Sequence, residues 1–273
     1  MIDELHLFRG CLIPTRLPFL EKSSRRVLDV LRVEVEDLPG ATCCVEPIGL
    51  RSMAYDTWLV VAARMLSIAE SAGRDILTLC NGCYLSLKEA HHLLLDEGRR
   101  EEVNRTLGEL GRHYGGGSEV IHLLDLVRRR AEEMRSSVVR EMEIELAIHP
   151  GCHLARPSSV VDAESPFRPG NLAKVAGWTG AGIVNGQDWP SCCGGGLSGV
   201  DDGLSQRIFE ETVRDFREAG AEAILTPCPF CFAQFDSKQK DLPVLYLSEL
   251  LALSMGLDGQ EIGLQHHRVK PQI

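Results

Sequence analysis

The segments ILTLCNGCYLSLKEA (76–90) and ILTPCPFCFAQFDSK (224–238) share one arrangement: a short apolar run, a CxxC pair and the start of a helix. A buried strand that turns directly into a helix is the basic unit of α/β proteins. Because this unit occurs twice with cysteines at the same places, we predict that the chain contains an internal duplication.

Three further pairs of segments repeat in the same order along the chain. They are ELHLFRGCLIPTR (4–16) with ELAIHPGCHLARP (145–157), TCCVEPIG (42–49) with SCCGGGLS (191–198), and VIHLLDL (120–126) with VLYLSEL (244–250). We therefore predict an α/β fold in which two similar domains, residues 1–140 and 141–273, pack as one body.

Helical periodicity supports this organisation. Residues 54–72 carry apolar side chains at helical spacing and end before Gly73, and residues 204–219 repeat that helix and end before Gly220. The charged segment 128–145 is predicted to form a helix that bridges the two domains.

Composition limits the possible functions. The net charge of −10 counts against a nucleic-acid partner. No stretch approaches the roughly 20 apolar residues of a membrane span, and the N-terminus lacks the features of a signal peptide. We expect a cytoplasmic protein, in which ten reduced cysteines are ligands more readily than disulfides.

The ten cysteines divide into two sets of five with similar spacing. The first set is Cys11, Cys43, Cys44, Cys80 and Cys83, and the second is Cys152, Cys192, Cys193, Cys228 and Cys231. Zinc sites and cubane iron–sulfur clusters take four ligands, so a fifth cysteine favours a larger metal–sulfur centre. The run Gly194–Gly196 is interpreted as a close approach of backbone N–H groups to such a centre.

The doubled pattern C…CC…CxxC resembles the CCG-domain family. In detail, DTWLVVAARMLSIAE (56–70), LCNGCYLSLKEAHHLL (79–94) and HPGCHLARPS (149–158) resemble segments of heterodisulfide reductase B subunits. The likeness runs from Cys11 to the GLQHH segment at 263–267.

This resemblance implies two CCG domains, each holding one noncubane 4Fe-4S cluster on its five cysteines. It implies reductive cleavage of a disulfide, such as the coenzyme M–coenzyme B heterodisulfide of methanogenesis, between the two clusters. The implied partners are a ferredoxin with cubane clusters, similar to heterodisulfide reductase C subunits, and a flavoprotein similar to the A subunits.

One position departs from the family pattern. Val45 follows the first cysteine pair where glycine is expected, and glycine does follow the second pair as Gly194. Valine restricts the backbone, although Pro47 and Gly49 could still supply a turn. The alternative remains that the first site holds zinc or no metal.

Histidines are the candidate proton donors, because their pKa lies near neutrality. His153 follows Cys152 directly and is the candidate catalytic residue. His149 is interpreted as a core or strand-edge residue, and His91, His92 and His122 are assigned no function.

Basic residues near the cysteines have several possible uses. Arg9, Lys88 and Arg156 are interpreted as balancing the negative charge of the clusters, with substrate binding and surface ion pairs as alternatives. His266 and His267 lie in a polar tail that is expected either to bind a partner or to be mobile.

Three alternative functions would use the same cysteines. The clusters could act on a protein-bound lipoyl or persulfide sulfur. They could serve an electron-transfer subunit of a lactate-, glycolate- or fumarate-linked oxidoreductase. Two structural zinc sites would make the chain a scaffold, and the fifth cysteine of each set argues against that.

Overall fold

The computed structural model describes residues 4–45, 48–184 and 192–273, and it contains two parallel four-stranded sheets with the same strand order. The first sheet has the order β2-β1-β3-β4 and the second the order β6-β5-β7-β8. The strands are β1 (Glu4–Phe8), β2 (Glu34–Asp37), β3 (Asp75–Thr78), β4 (Val120–His122), β5 (Glu145–Ile148), β6 (Gly182–Ile183), β7 (Ala223–Thr226) and β8 (Val244–Tyr246). The α/β class and the tandem duplication are confirmed.

Helices connect the strands, as parallel pairing requires. In chain order they are α1 (Leu12–Arg16), α2 (Pro18–Val30), α3 (Gly49–Met53), α4 (Tyr55–Ser71), α5 (Asn81–Leu93), α6 (Glu97–Glu109), α7 (Leu123–Arg129), α8 (Ala131–Ser136), α9 (Asn171–Gly177), α10 (Asp202–Glu218), α11 (Pro229–Lys238), α12 (Leu247–Ser254) and α13 (Gly259–Ile262). Short 3-10 helices cover Cys152–Leu154, Gly195–Leu197 and Leu264–His266.

The two helices predicted at 54–72 and 204–219 are α4 and α10. In α4 the apolar stripe is buried, with Trp58 and Met65 fully enclosed, and the chain leaves the helix at Gly73 with a φ of 67°. The α10 helix begins where the Asp201 side chain accepts a hydrogen bond from the Leu204 N–H at 2.8 Å.

Helices of the two halves pack on each other reciprocally. Helix α12, which follows the last strand of the second sheet, packs on α2 of the first half, and its counterpart α7 packs on α9 of the second half. Buried hydroxyls cross the first contact, with 2.7 Å between Ser23 Oγ and Ser248 Oγ. One continuous apolar core contains residues of both halves, so they pack as one body, as predicted.

The predicted charged helix over 128–145 is wrong. Helix α7 ends at Arg129, α8 covers Ala131–Ser136, and the chain then runs without a helix to β5. The N–H groups of Val139 and Arg140 donate to Ser254 O at 2.9 and 3.0 Å, and Met142 N–H donates to Thr179 O at 2.8 Å. These tertiary hydrogen bonds to the second half replace the helical ones.

Among the residues that the structure describes, no helix is both long enough and apolar enough to cross a membrane.

Candidate metal centres at the cysteine sets

Strand ends bring each cysteine set together. Cys11 and Cys80 follow β1 and β3, and Cys152 and Cys228 follow β5 and β7, so they lie at the carboxyl edges of their sheets. Carboxyl ends of parallel strands form one edge, which is where α/β proteins place ligands. All ten cysteines lie in the described segments, and all are free thiols.

The five thiols of the first set lie close together. The Sγ atoms of Cys11 and Cys43 are 3.7 Å apart. The neighbouring Cys43 thiol raises the pKa of Cys44 well above its usual value, and the Cys44 and Cys80 thiols do the same for Cys83. Cys11 and Cys43 are exposed while Cys44 and Cys83 are buried, so the set has one face toward solvent.

The second set repeats this layout. The Cys192 and Cys231 thiols lower the pKa of Cys193, and the Cys193 and Cys228 thiols raise the pKa of Cys231. Cys152 and Cys192 are exposed, and the other three thiols are buried. Equivalent cysteines therefore have equivalent exposure in the two halves, with Cys80, which is half-buried, as the exception.

The two sets meet between the sheets. Cys80 and Cys228 are the first residues of the two CxxC pairs, and the Cys228 thiol lies close enough to lower the pKa of the Cys80 thiol. Asn81, next to Cys80, donates from Nδ2 to Pro150 O of the second half at 2.7 Å. Tyr246 of the second half donates its hydroxyl to Leu79 O. The two cysteine sets therefore adjoin at their CxxC pairs.

Matching side chains hold the adjacent cysteines in both halves. Three residues after each CxxC pair, Ser86 donates to Cys44 O at 2.7 Å and Gln234 donates to Cys193 O at 3.3 Å. Trp58 Nε1 donates to Ser86 Oγ at 2.8 Å and orients it. Helices α5 and α11 therefore position the loops as well as their own cysteines.

The packed thiols perturb one another's acidity. The pKa of Cys80 is lowered well below its usual value because the Cys228 and Cys83 thiols donate hydrogen bonds to it, and N–H groups at the start of α5 add to this. Hydrogen bonds with Cys44 and Cys80, together with burial, raise the pKa of Cys83 well above its usual value. Neighbouring thiols cannot all ionise together unless a metal centre supplies positive charge.

This donor set fits an iron–sulfur centre. Thiolate-only ligation selects iron–sulfur clusters, zinc or copper(I), and five thiols per set exceed the four of a tetrahedral zinc site. Each CxxC pair begins a helix whose N–H donors favour a negative centre. The residues present therefore suit an iron–sulfur centre better than a single zinc ion.

Glycine precedes the first cysteine of each set for a steric reason. Gly10 and Gly151 have φ values of 67° and 75°. A Cβ on Gly10 would lie 2.8 Å from Cys83 Sγ, and one on Gly151 would lie 2.5 Å from Asn81 Nδ2. Only glycine allows the strand ends to approach the CxxC pairs this closely.

The residue after each pair of adjacent cysteines has a left-handed backbone conformation in both halves. Gly194 has a φ of 74°, and its N–H donates to Cys192 Sγ at 3.3 Å, the backbone approach expected for the glycine run. Val45 has a φ of 55°, so valine adopts the same turn at a conformational cost. Of the residues expected to assist this turn, Pro47 lies outside the described residues.

His149 joins the second set, which the sequence analysis did not predict. Its side chain is buried, and its ligating nitrogen and the Cys193 and Cys231 sulfurs lie within 4.8 Å of one another. When the two copies are aligned, His149 corresponds to Phe8, and each lies three residues before the first cysteine of its set. That pairing is the signal that places His149 at the carboxyl edge of a strand, beside the site.

Comparison with known proteins agrees with the cysteine geometry. A family model for the CCG cysteine-rich domain matches residues 5–88 and 146–236. The chain belongs to the CCG cysteine-rich domain family.

Relatives of this CCG protein extend over almost its whole length. It is 36% identical to the B subunit of the ferredoxin/F(420)H(2)-dependent CoB-CoM heterodisulfide reductase from Methanosarcina acetivorans, covering 98% of this chain and 94% of the relative. It is 28% identical to the 8-methylmenaquinol:fumarate reductase membrane anchor subunit of Wolinella succinogenes, covering 98% of this chain and 97% of the relative.

A solved structure shares the CCG fold. The crystal structure of a hypothetical protein from Helicobacter pylori matches 98% of this chain with a TM-score of 0.75 and 16% sequence identity. The chain spans about half the length of that protein, 52%. At this identity the likeness shows the fold alone.

His153 lies beside the second CCG site. It is half-buried in the 3-10 helix Cys152–Leu154, next to the exposed Cys152. The turn that carries His153 is thus at the solvent side of the cysteine set. His122, in contrast, is fully buried, and its pKa is lowered to about 4 by that burial, so it is neutral at pH 7.

Two of the three basic residues near the CCG sites are held in ion pairs. Arg9 lies 3.7 Å from Glu21 and 3.5 Å from Asp37. Lys88 Nζ lies 2.7 Å from an Asp162 carboxylate oxygen. Of the uses expected for these two residues, the surface ion pair is the one that the structure shows.

Arg156 acts electrostatically on a cysteine. Burial and the neighbouring Cys193 raise the pKa of the Cys152 thiol, and the Arg156 guanidinium opposes that rise.

The expectation of a mobile tail is wrong for His267. Its side chain is fully enclosed, and Nε2 lies 2.8 Å from Glu249 Oε1. The ring packs against Phe19 of the first half and Phe232 of the second, with centroids 5.2 and 5.0 Å away. His266 is exposed, as a tail residue would be.

Proposed function

We propose that this chain is the catalytic subunit of a heterodisulfide reductase-type complex and reductively cleaves a disulfide such as the coenzyme M–coenzyme B heterodisulfide. The observation that carries the proposal is that the two five-thiol sets adjoin, since Asn81, next to Cys80 of the first set, donates to Pro150 O, two residues before Cys152 of the second set, at 2.7 Å. Two electrons are needed to split a disulfide, and two joined metal sites suit that requirement better than two separate ones.

The two sets of five cysteines, in domains 1–140 and 141–273, would each hold one noncubane 4Fe-4S cluster. When bound, these clusters supply the two electrons that convert the disulfide into two thiols. The buried cysteines of each set anchor its centre inside the protein. The exposed ones, Cys11 and Cys43 in one half and Cys152 and Cys192 in the other, leave an accessible side for a substrate.

Cleavage also consumes two protons, and His153 is the proposed donor of one of them. Its half-buried imidazole lies beside the exposed Cys152, where a product thiolate would need protonation. Arg156 is proposed to attract an anionic substrate. Arg156→Ala should then raise the KM for the heterodisulfide several-fold with kcat little changed.

The proposed partners are a ferredoxin and a flavoprotein that resemble the C and A subunits of heterodisulfide reductases and would deliver electrons to the chain. The names of the relatives support a multisubunit complex, since both relatives are named as subunits of larger reductases.

The decisive experiment measures iron, acid-labile sulfide and zinc in anaerobically purified protein, with EPR after oxidation in the presence of coenzyme M or coenzyme B. We expect about eight irons and about eight sulfides per chain for two 4Fe-4S clusters. A signal that depends on the added thiol, together with reduction of the heterodisulfide by reduced protein, would establish the function.

Other results would select the alternatives. Iron and sulfide without a thiol-dependent signal or disulfide reduction would indicate an electron-transfer role. About four irons with one zinc would mean that the first site is changed, and the two-cluster mechanism would fail. Zinc alone in both sites would indicate a scaffold.

A further inference from the structure

The duplicated site is not symmetric at the position of His149. The segments ELHLF and ELAIH pair Phe8 with His149 at the ends of β1 and β5. Both side chains are buried, with exposed fractions of 0% and 1%. An apolar ring in one copy is therefore replaced by an imidazole in the other.

The imidazole is close to two cysteines of the second set. Its ligating nitrogen lies within 4.8 Å of the Cys193 and Cys231 sulfurs. Its Nδ1 has no partner among the described residues. The nearby cysteine sulfurs are therefore the reason for a polar ring here.

Aromatic packing holds the ring in place. Phe235 lies edge-on to His149 with centroids 4.9 Å apart, and Phe216 does so at 6.4 Å. The imidazole is thus fixed in an apolar enclosure, where a hydrogen bond to sulfur is stronger than in water.

The first set has no such donor at the matching place. Cys44, the counterpart of Cys193, has the Cys43 and Cys83 thiols as neighbours. Phe8 carries no side-chain N–H group that could be donated. The two centres therefore differ in the donors near their ligand sulfurs.

We propose that His149 makes the two centres inequivalent by donating an N–H hydrogen bond to the Cys193 sulfur, which raises the reduction potential of the second centre above that of the first. This inference rests on the proposed ligation of iron–sulfur clusters by the ten cysteines. Hydrogen bonds to cluster sulfurs are an established determinant of potential, because they stabilise the more negative, reduced state. An electron entering the pair would then reside on the second centre, next to His153.

The test is an EPR-monitored redox titration of the intact, iron-loaded protein and two variants. His149→Phe gives the second half the side chain of the first, and His149→Gln keeps an N–H donor. In His149→Phe we expect the reduction potential of one centre to fall. The reduction equilibrium constant should change tenfold or more, which is a shift of about 59 mV or more for one electron. The other signal should be unchanged, and His149→Gln should retain most of the wild-type potential.

A reciprocal variant guards against a folding defect. Phe8→His should raise the potential of the other signal and bring the two centres closer together. Unchanged potentials in His149→Phe or Phe8→His with full iron content would overturn the inference. Loss of about half the iron in His149→Phe would also overturn it, because His149 would then hold the centre itself.

These results are separable from failure of the proposed function. Wild-type protein without iron would refute the cluster ligation, whereas full iron with two identical potentials would refute only the role of His149.

Discussion

The first and second halves hold their cysteines at equivalent positions but support them with different residues. The thiol contacts, the exposure pattern and the side chain three residues after CxxC correspond in the two copies. Around them, Val45 stands opposite Gly194 and Phe8 opposite His149. The comparison shows that the arrangement of the cysteines corresponds in the two halves while the residues around them differ.

The largest effect should come from the matched ligands Cys44 and Cys193. We expect Cys44→Ser and Cys193→Ser each to lose about half the iron. Disulfide reduction should fall by more than the roughly 100-fold that loss of an outer-shell partner can cause. Iron analysis and a disulfide reduction assay measure both effects. If only Cys193→Ser loses iron, the first site never held a cluster and the equivalence of the halves is broken.

A second pair of matched positions lies in α7 and α12. Glu249 is fully buried against His267, whereas its counterpart Asp125 forms partly exposed pairs with Arg128 and Arg129. Glu249→Ala should lower the free energy of unfolding by about 3–5 kcal/mol, because a buried partner is left unpaired. Asp125→Ala should cost about 1 kcal/mol or less.

Urea denaturation followed by circular dichroism measures this difference. Equal losses in the two variants would contradict the contrast between a buried pair and a surface pair. His266→Ala, which changes the exposed neighbour of His267, is the control and should be close to neutral.

The turn after the second cysteine pair should be sensitive to any side chain. Gly194 is left-handed, and a Cβ there would collide with the backbone oxygen of Ser205. Gly194→Ala should cost about 1–3 kcal/mol from the backbone conformation, with the collision adding to it. Thermal unfolding checks this, with Gly199→Ala as control, because Gly199 is also left-handed but has nothing near its Cβ. Similar losses in both variants would show that the Ser205 contact has no effect.

The smallest effect is the reverse substitution in the first half. Val45 has a φ of 55°, a conformation that costs an L-residue about 1–2 kcal/mol. Glycine would remove this cost, but its greater conformational entropy in the unfolded chain would cancel part of the gain. The Val45 side chain is partly buried against the apolar core, and losing it offsets the relief of backbone strain. Val45→Gly should therefore change the free energy of unfolding by less than about 1 kcal/mol and leave the iron content unchanged. A larger decrease in stability would mean that side-chain packing outweighs the backbone strain.

Much of the fold could be predicted because the repeated segments are short and strongly patterned. A strand, CxxC and helix in each copy indicated parallel sheets, and regular apolar spacing located α4 and α10. Charge pattern was less informative at 128–145, where Val139 and Arg140 bond to Ser254 across the halves. Such tertiary hydrogen bonds leave no signal in local sequence.

Side chains at the site were harder to predict than the cysteines. His149 looks like an ordinary strand residue until the copies are compared position by position. His267 looks like part of a polar tail, since its buried partner Glu249 is 18 residues away. Arg9 and Lys88 looked available to a cluster, but their partners Asp37 and Asp162 come from distant segments.

The reciprocal packing of α12 on α2 and of α7 on α9 bears on the ancestry of the chain. Each copy covers a helix of the other with the helix that follows its own last strand, and in α12 this helix includes the fully buried Leu250 and Leu251. A polypeptide with one copy could bury the same faces only by associating with a second such polypeptide. A symmetric homodimer is thus the natural precursor of this architecture. Gene fusion would then have freed the two sites to evolve separately.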